Sequence, residues 1–122
     1  AVDATIWHNP ACSTSRSVLA MLEHAGIQPT IVEYLRTPPS RAELAELIRA
    51  AGIGVRGAMR QKDALYRELG LADPALGDAK LLDAMAEHPA LINRPFVRTP
   101  LGTRLCRPKE LLYEILPAIG GL

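Results

Sequence analysis

Residues 5 to 34 constrain the fold more than any other stretch. Thr5-Ile6-Trp7 reads as a short strand, and Val18, Leu19, Leu22 and Ala25 then recur at helical spacing until Gly26. Thr30-Ile31-Val32-Glu33-Tyr34 is rich in β-branched residues and reads as a second strand. Strand, helix, strand in so short a span is a βαβ opening, which implies parallel pairing and a right-handed crossover. The first strand hands over to the helix through Trp7-His8-Asn9-Pro10-Ala11-Cys12-Ser13-Thr14-Ser15-Arg16. A cysteine therefore sits at a helix N-terminus, where free N–H groups and the positive end of the helix dipole favour an anion. A thiolate is an anion.

Beyond Pro38-Pro39, Ser40-Arg41-Ala42-Glu43 is a capping box, followed by a buried stripe of Leu44, Leu47, Ile48 and Ala51 that ends at Gly52. From Ile53 to His88 the signals are helical and short. Val55 to Arg60 supplies one or two turns and Leu65 to Leu69 another, closed by Gly70; Asp78 caps a helix carrying Leu81, Leu82 and Met85, which stops near His88-Pro89. This region, about 53–90, reads as a helical insertion laid over the sheet. Phe96-Val97-Arg98 and Thr103-Arg104-Leu105 flank the turn Thr99-Pro100-Leu101-Gly102 and form a hairpin. Pro108 opens a last helix with Leu111, Leu112, Ile115 and Leu116, closed by Pro117. The order βαβα, helices, ββα predicts one α/β domain over residues 1–122, with a mixed four-stranded sheet flanked by helices and an insertion before the C-terminal hairpin.

Composition narrows the function classes. The chain has 122 residues, 48% hydrophobic and 22% charged, which describes a folded domain with a proper core. A net charge of +1 gives no bulk field for nucleic acid or an anionic membrane. No basic-then-apolar leader and no run of roughly eighteen apolar residues is present, so the expected setting is cytoplasmic and reducing. Two cysteines, Cys12 and Cys106, do not make a disulfide scaffold, and a reactive-looking cysteine in that setting is catalytic or redox-active more often than it is a small buried apolar residue, the alternative reading of Cys12. Eleven of the fourteen basic residues are arginine, the better fork for an oxyanion.

For Cys12 to be mostly thiolate at neutral pH, its pKa must fall from about 8.5 to near 6, a shift of roughly 3.4 kcal/mol. A helix N-terminus supplies at most about 2 kcal/mol. Hydrogen bonds or a cation must supply the remainder, and His8, Asn9, Thr14, Ser15 and Arg16 are the local candidates. Ser15 stands where a Cys-x-x-Cys pair has its second cysteine; it can donate a hydrogen bond to sulfur but cannot resolve a disulfide. A tyrosine-phosphatase loop needs arginine at position 18, which is Val18. His8, His24 and His88 lack metal-ligand spacing with either cysteine, so no metal site is expected.

Asn93-Arg94-Pro95-Phe96 is a second constellation. Two readings fit the Arg94–Pro95 bond: a cis peptide that brings Arg94 close to the Cys12 loop, or an ordinary proline at a strand start beside an exposed arginine. Arg107 ends a strand and Arg60 a short helix; periodicity alone does not bring them together.

Four segments carry a specific resemblance: His8-Asn9-Pro10-Ala11-Cys12-x-Thr14-Ser15-Arg16, Tyr34-Leu35-x-Thr37-Pro38-Pro39, Leu91-Ile92-Asn93-Arg94-Pro95, and Thr99 through Pro108. Together they resemble the glutaredoxin-coupled arsenate reductases, the ArsC family. The resemblance implies a thioredoxin-like fold with a helical insertion. By matching position, Cys12 resembles the family nucleophile, Arg60, Arg94 and Arg107 its oxyanion-binding arginines, and His8 and Ser15 the residues that lower the cysteine pKa. It further implies arsenate as substrate, glutathione as co-substrate in place of any tightly bound cofactor, and glutaredoxin as partner. Cys106 as an internal resolving thiol runs against it. Ser13 departs from the glycine common after the cysteine, and the chain stops soon after Pro117. Two alternatives stand beside this expectation. One is a glutathione-dependent thiol reductase of another substrate. The other is an Spx-like regulator that binds RNA polymerase, a group that generally shows Cys-x-x-Cys where this chain has Ser15.

Overall fold

The computed structural model describes residues 4–116. The expected closure of the last helix by Pro117 lies outside them. By its internal contacts the chain divides into two units, one formed by residues up to Thr37 and from Arg94 onward, the other by Pro38–Asn93.

Among the described residues of the first unit, four strands form one sheet: β1 (Thr5–His8), β2 (Thr30–Glu33), β3 (Phe96–Thr99) and β4 (Gly102–Leu105). Their order is β2-β1-β3-β4. β1 pairs in parallel with β2, Thr5 opposite Thr30, because α1 (Ser13–His24) carries the chain back across the sheet between them. β1 and β3 are antiparallel, Ile6 opposite Val97, and so are β3 and β4, Phe96 opposite Leu105. This is the mixed α/β arrangement expected of a thioredoxin-like chain. Val18 and Leu22 of α1 meet Ile6, Val97, Cys106, Leu112 and Ile115 in one core cluster. After β4 the chain forms a 3-10 helix, Lys109–Glu114, where the pattern predicted an ordinary helix. Thr99, buried at the end of β3, donates its hydroxyl to the Ile115 carbonyl at 2.6 Å and fastens that segment to the hairpin.

In the second unit, α2 (Arg41–Ala51) begins at the predicted capping box: Ser40 accepts from the Glu43 amide, and Gly52 closes the helix at φ 72°. Two 3-10 turns, Arg56–Ala58 and Pro89–Leu91, bracket α3 (Ala64–Glu68) and α4 (Asp78–Glu87). The N-cap of α4 is Gly77, not Asp78, which falls in the first turn where its charge still suits the helix dipole. Arg56 ties α3 to the chain that follows, its guanidinium donating to the Tyr66 hydroxyl at 2.7 Å and to the Leu71 and Asp73 carbonyls. Among the described residues no helix is long and apolar enough to cross a membrane.

Candidate active site

Cys12 is the N-cap residue of α1, extended at φ −95° and ψ 123°, and only 8% exposed. The turn that delivers it is built by Asn9. The Asn9 side-chain oxygen accepts from the Ala11 amide and its carbonyl accepts from the Cys12 amide, both at 3.0 Å. These two bonds close the backbone between β1 and α1, a job for which asparagine is well suited. Arg16 reaches back to the Pro10 carbonyl at 3.3 Å.

Ser15 lies one turn into α1 and is fully buried. Its hydroxyl is 2.6 Å from His8 Nδ1 and accepts from the Asn9 amide at 3.0 Å. The sequence reading offered that hydroxyl to the cysteine sulfur; the structure uses it to hold β1, the turn and α1 together. Burial chiefly depresses the His8 pKa, Glu33 opposes that, and Arg16 adds to it, so the ring lies below its ordinary value. His8 is therefore neutral at neutral pH, and it is no cation beside the sulfur.

Burial also acts on Cys12, pushing its thiol up, but other contributions outweigh it. The Ser15 amide, the Arg94 guanidinium through a hydrogen bond and through its charge, and the Thr14 amide together bring the Cys12 pKa below its ordinary value. The sulfur makes no capping hydrogen bond of standard geometry, yet both amides favour its anion. Arg107 Nη1 stands 3.8 Å from Cys12 Sγ and donates to the Arg94 carbonyl at 3.3 Å. Two arginines, remote from Cys12 in sequence, thus converge on one sulfur.

Both arginines precede a proline, and both bonds, Arg94–Pro95 and Arg107–Pro108, are cis. The second was missed from sequence, although Cys106-Arg107-Pro108 repeats the Arg-Pro pattern of Asn93-Arg94-Pro95. Arg60 belongs to the second unit, where its guanidinium pairs with Asp63 at 3.1 Å and its amide donates to the Leu91 carbonyl. Cys106 is fully buried in the core cluster, and burial pushes its thiol up to about 12. It is a neutral core residue. Among the described residues no group of three or more His, Cys, Asp or Glu is placed to hold a metal ion.

Comparison with known proteins agrees with this geometry. The ArsC family model matches residues 7–115. A protein named "Arsenate reductase" from Rhizobium meliloti (strain 1021) is 65% identical over 113 residues, covering 93% of this chain and 81% of that protein. One of the same name from Escherichia coli (strain K12) is 57% identical, covering 93% and 80%. The solved arsenate reductase from Vibrio cholerae superposes with a TM-score of 0.91 at 49% identity, covering 95% of this chain and 99% of that one. The match takes in the Cys12 loop, both Arg-Pro segments and nearly everything between them, and on that ground the chain belongs to the ArsC family.

Proposed function

We propose that this chain reduces arsenate to arsenite with Cys12 as nucleophile. The observation that carries the reading is a sulfur made more acidic by the Ser15 amide and Arg94, with Arg107 3.8 Å away. A thiolate ringed by guanidinium groups suits a tetrahedral oxyanion, because each planar fork matches a pair of oxygens. The names of the relatives point to the same substrate. A third oxyanion-binding arginine, Arg60, is offered by the family resemblance alone. Within the second unit its guanidinium pairs with Asp63, both side chains being only partly exposed.

Attack of the Cys12 thiolate on arsenic forms an S–As bond, and one arsenate oxygen leaves as water after taking up protons. Arsenic is still pentavalent in that adduct, so two electrons are needed. Ser15 carries no sulfur, and Cys106 is buried with its thiol at about 12, so the second thiol comes from outside the chain. Glutathione as co-substrate attacks the Cys12 sulfur: an S–S bond forms, the S–As bond breaks, and its electron pair stays on arsenic, which leaves as trivalent arsenite. Glutaredoxin then takes the glutathionyl group from Cys12 and restores the thiol. A reducing, cytoplasmic setting supplies these thiols, and no tightly bound cofactor is required. The test is a coupled assay with arsenate, glutathione, glutaredoxin and an NADPH-consuming reductase. We expect turnover that Cys12→Ser abolishes; no turnover, or turnover that survives the substitution, overturns the reading.

A further inference from the structure

A cleft of about 500 Å³ opens beside the cysteine loop. Ser13, Thr14 and Ser17 of α1 line one side, and Arg107, Lys109 and Glu110, from the chain after β4, line the other. Its Arg107 wall reaches the reacting sulfur, since Arg107 Nη1 is 3.8 Å from Cys12 Sγ. Among the described residues neither the Lys109 ammonium nor the Glu110 carboxylate has an ion-pair partner.

The chain itself has no second thiol to offer Cys12, so an external thiol must approach it, and this cleft adjoins the loop. Its lining is specific in charge: two cations, one acid and three hydroxyls. Glutathione carries two carboxylates, one ammonium and a thiol between them. We propose that this cleft is the docking site for glutathione, with Lys109 holding a carboxylate, Glu110 the ammonium, and the α1 hydroxyls hydrogen-bonding the peptide groups. The thiol is then directed past Arg107 to the Cys12 sulfur. The volume is in the range of small-molecule sites. The positive end of α1 adds to the preference for a carboxylate along that wall. Lys109 thereby sets which thiol is accepted: a neutral thiol gains nothing from the two charged anchors.

The proposal rests on the reading above only in taking Cys12 as the reacting sulfur, and its test needs no arsenate. The Cys12 thiolate attacks oxidised glutathione, one S–S bond forms as another breaks, and one glutathione thiolate leaves. The rate of this exchange, followed by mass of the Cys12 adduct, is compared with that for the neutral 2-hydroxyethyl disulfide. We expect Lys109→Ala to slow the glutathione reaction about threefold and Lys109→Glu about tenfold, as befits an exposed ion pair and its reversal. The neutral reaction should stay within about twofold. Lys80→Glu, the same change of charge on α4, should affect neither. In turnover, Lys109→Glu should raise the KM for glutathione more than the KM for arsenate. A fall of both exchange rates together, no change in either, or an equal effect of Lys80→Glu overturns the proposal. An intact Lys109 effect without arsenate turnover would sink the reductase reading and leave the cleft standing.

Discussion

Burial alone would leave Cys12 a poor nucleophile, because a desolvated thiol holds its proton more tightly. The opposing contributions come from two places, the backbone of α1 and the Arg94 side chain. They respond to mutation differently. Ser15→Ala keeps the amide and loses only a hydroxyl committed to His8 and Asn9, whereas Arg94→Ala removes both a hydrogen bond and a charge. Arg94→Ala is therefore expected to raise the pH midpoint of thiolate absorbance clearly, and Ser15→Ala to raise it less. The thiolate is the reactive form, so activity is lost as pH falls through the Cys12 pKa, and Arg94→Ala should move that acid limb to higher pH. Titrating both variants decides it; an equal or larger shift in Ser15→Ala would count against this division. Residue types were enough to pick out Cys12 and Ser15 and to offer Arg94 through its proline, whereas Arg107 was offered only by the family resemblance. The use of the Ser15 amide in place of its hydroxyl was not legible, because it depends on how Asn9 closes the turn.

At the level of elements, the pattern was most readable where one residue type had one job. The Ser40–Glu43 capping box, the Gly52 stop and the β3–β4 hairpin all appear where spacing placed them. The short helices were less readable, since over three to six residues nothing in an apolar pattern distinguishes 3-10 from α winding. Nor does sequence reveal that Arg56 is a fastener for α3 while Arg107 faces a sulfur. The β3–β4 hairpin offers the sharpest test. Gly102 opens β4 at φ 144°, a conformation that side-chain-bearing residues rarely adopt, and an added Cβ would sit 3.6 Å from Ile115 Cγ2. Gly102→Ala is expected to cost about 1–3 kcal/mol of stability, nearly all of it from backbone strain. Chemical unfolding measures this directly. A cost below about 0.5 kcal/mol would mean that the turn relaxes without resistance.

For the molecule as a whole, the buried Cys106 thiol makes stability depend on alkaline pH. It belongs to the cluster that joins Ile6, Val18, Leu22, Val97, Leu112 and Ile115, so sheet and helix both pack into the core that holds it. In the fold, burial pushes it up to about 12. In the unfolded chain it titrates near its ordinary value of about 8.5. Between these values the unfolded chain gives up a proton that the folded chain keeps. The unfolded state then binds fewer protons, and stability falls as pH rises. The slope is about 1.4 kcal/mol per pH unit for a single thiol, absent below about pH 8 and complete only above it. Cys106→Ala removes that slope, whatever it costs in packing at neutral pH. The stability difference between wild type and Cys106→Ala should therefore shrink steadily from pH 9 to pH 11. Urea unfolding at several pH values measures it, and a difference that stays constant with pH would show that the core admits the thiolate. The same variant should keep arsenate turnover at neutral pH, because a thiol that remains protonated in the core has no part in resolving the Cys12 adduct.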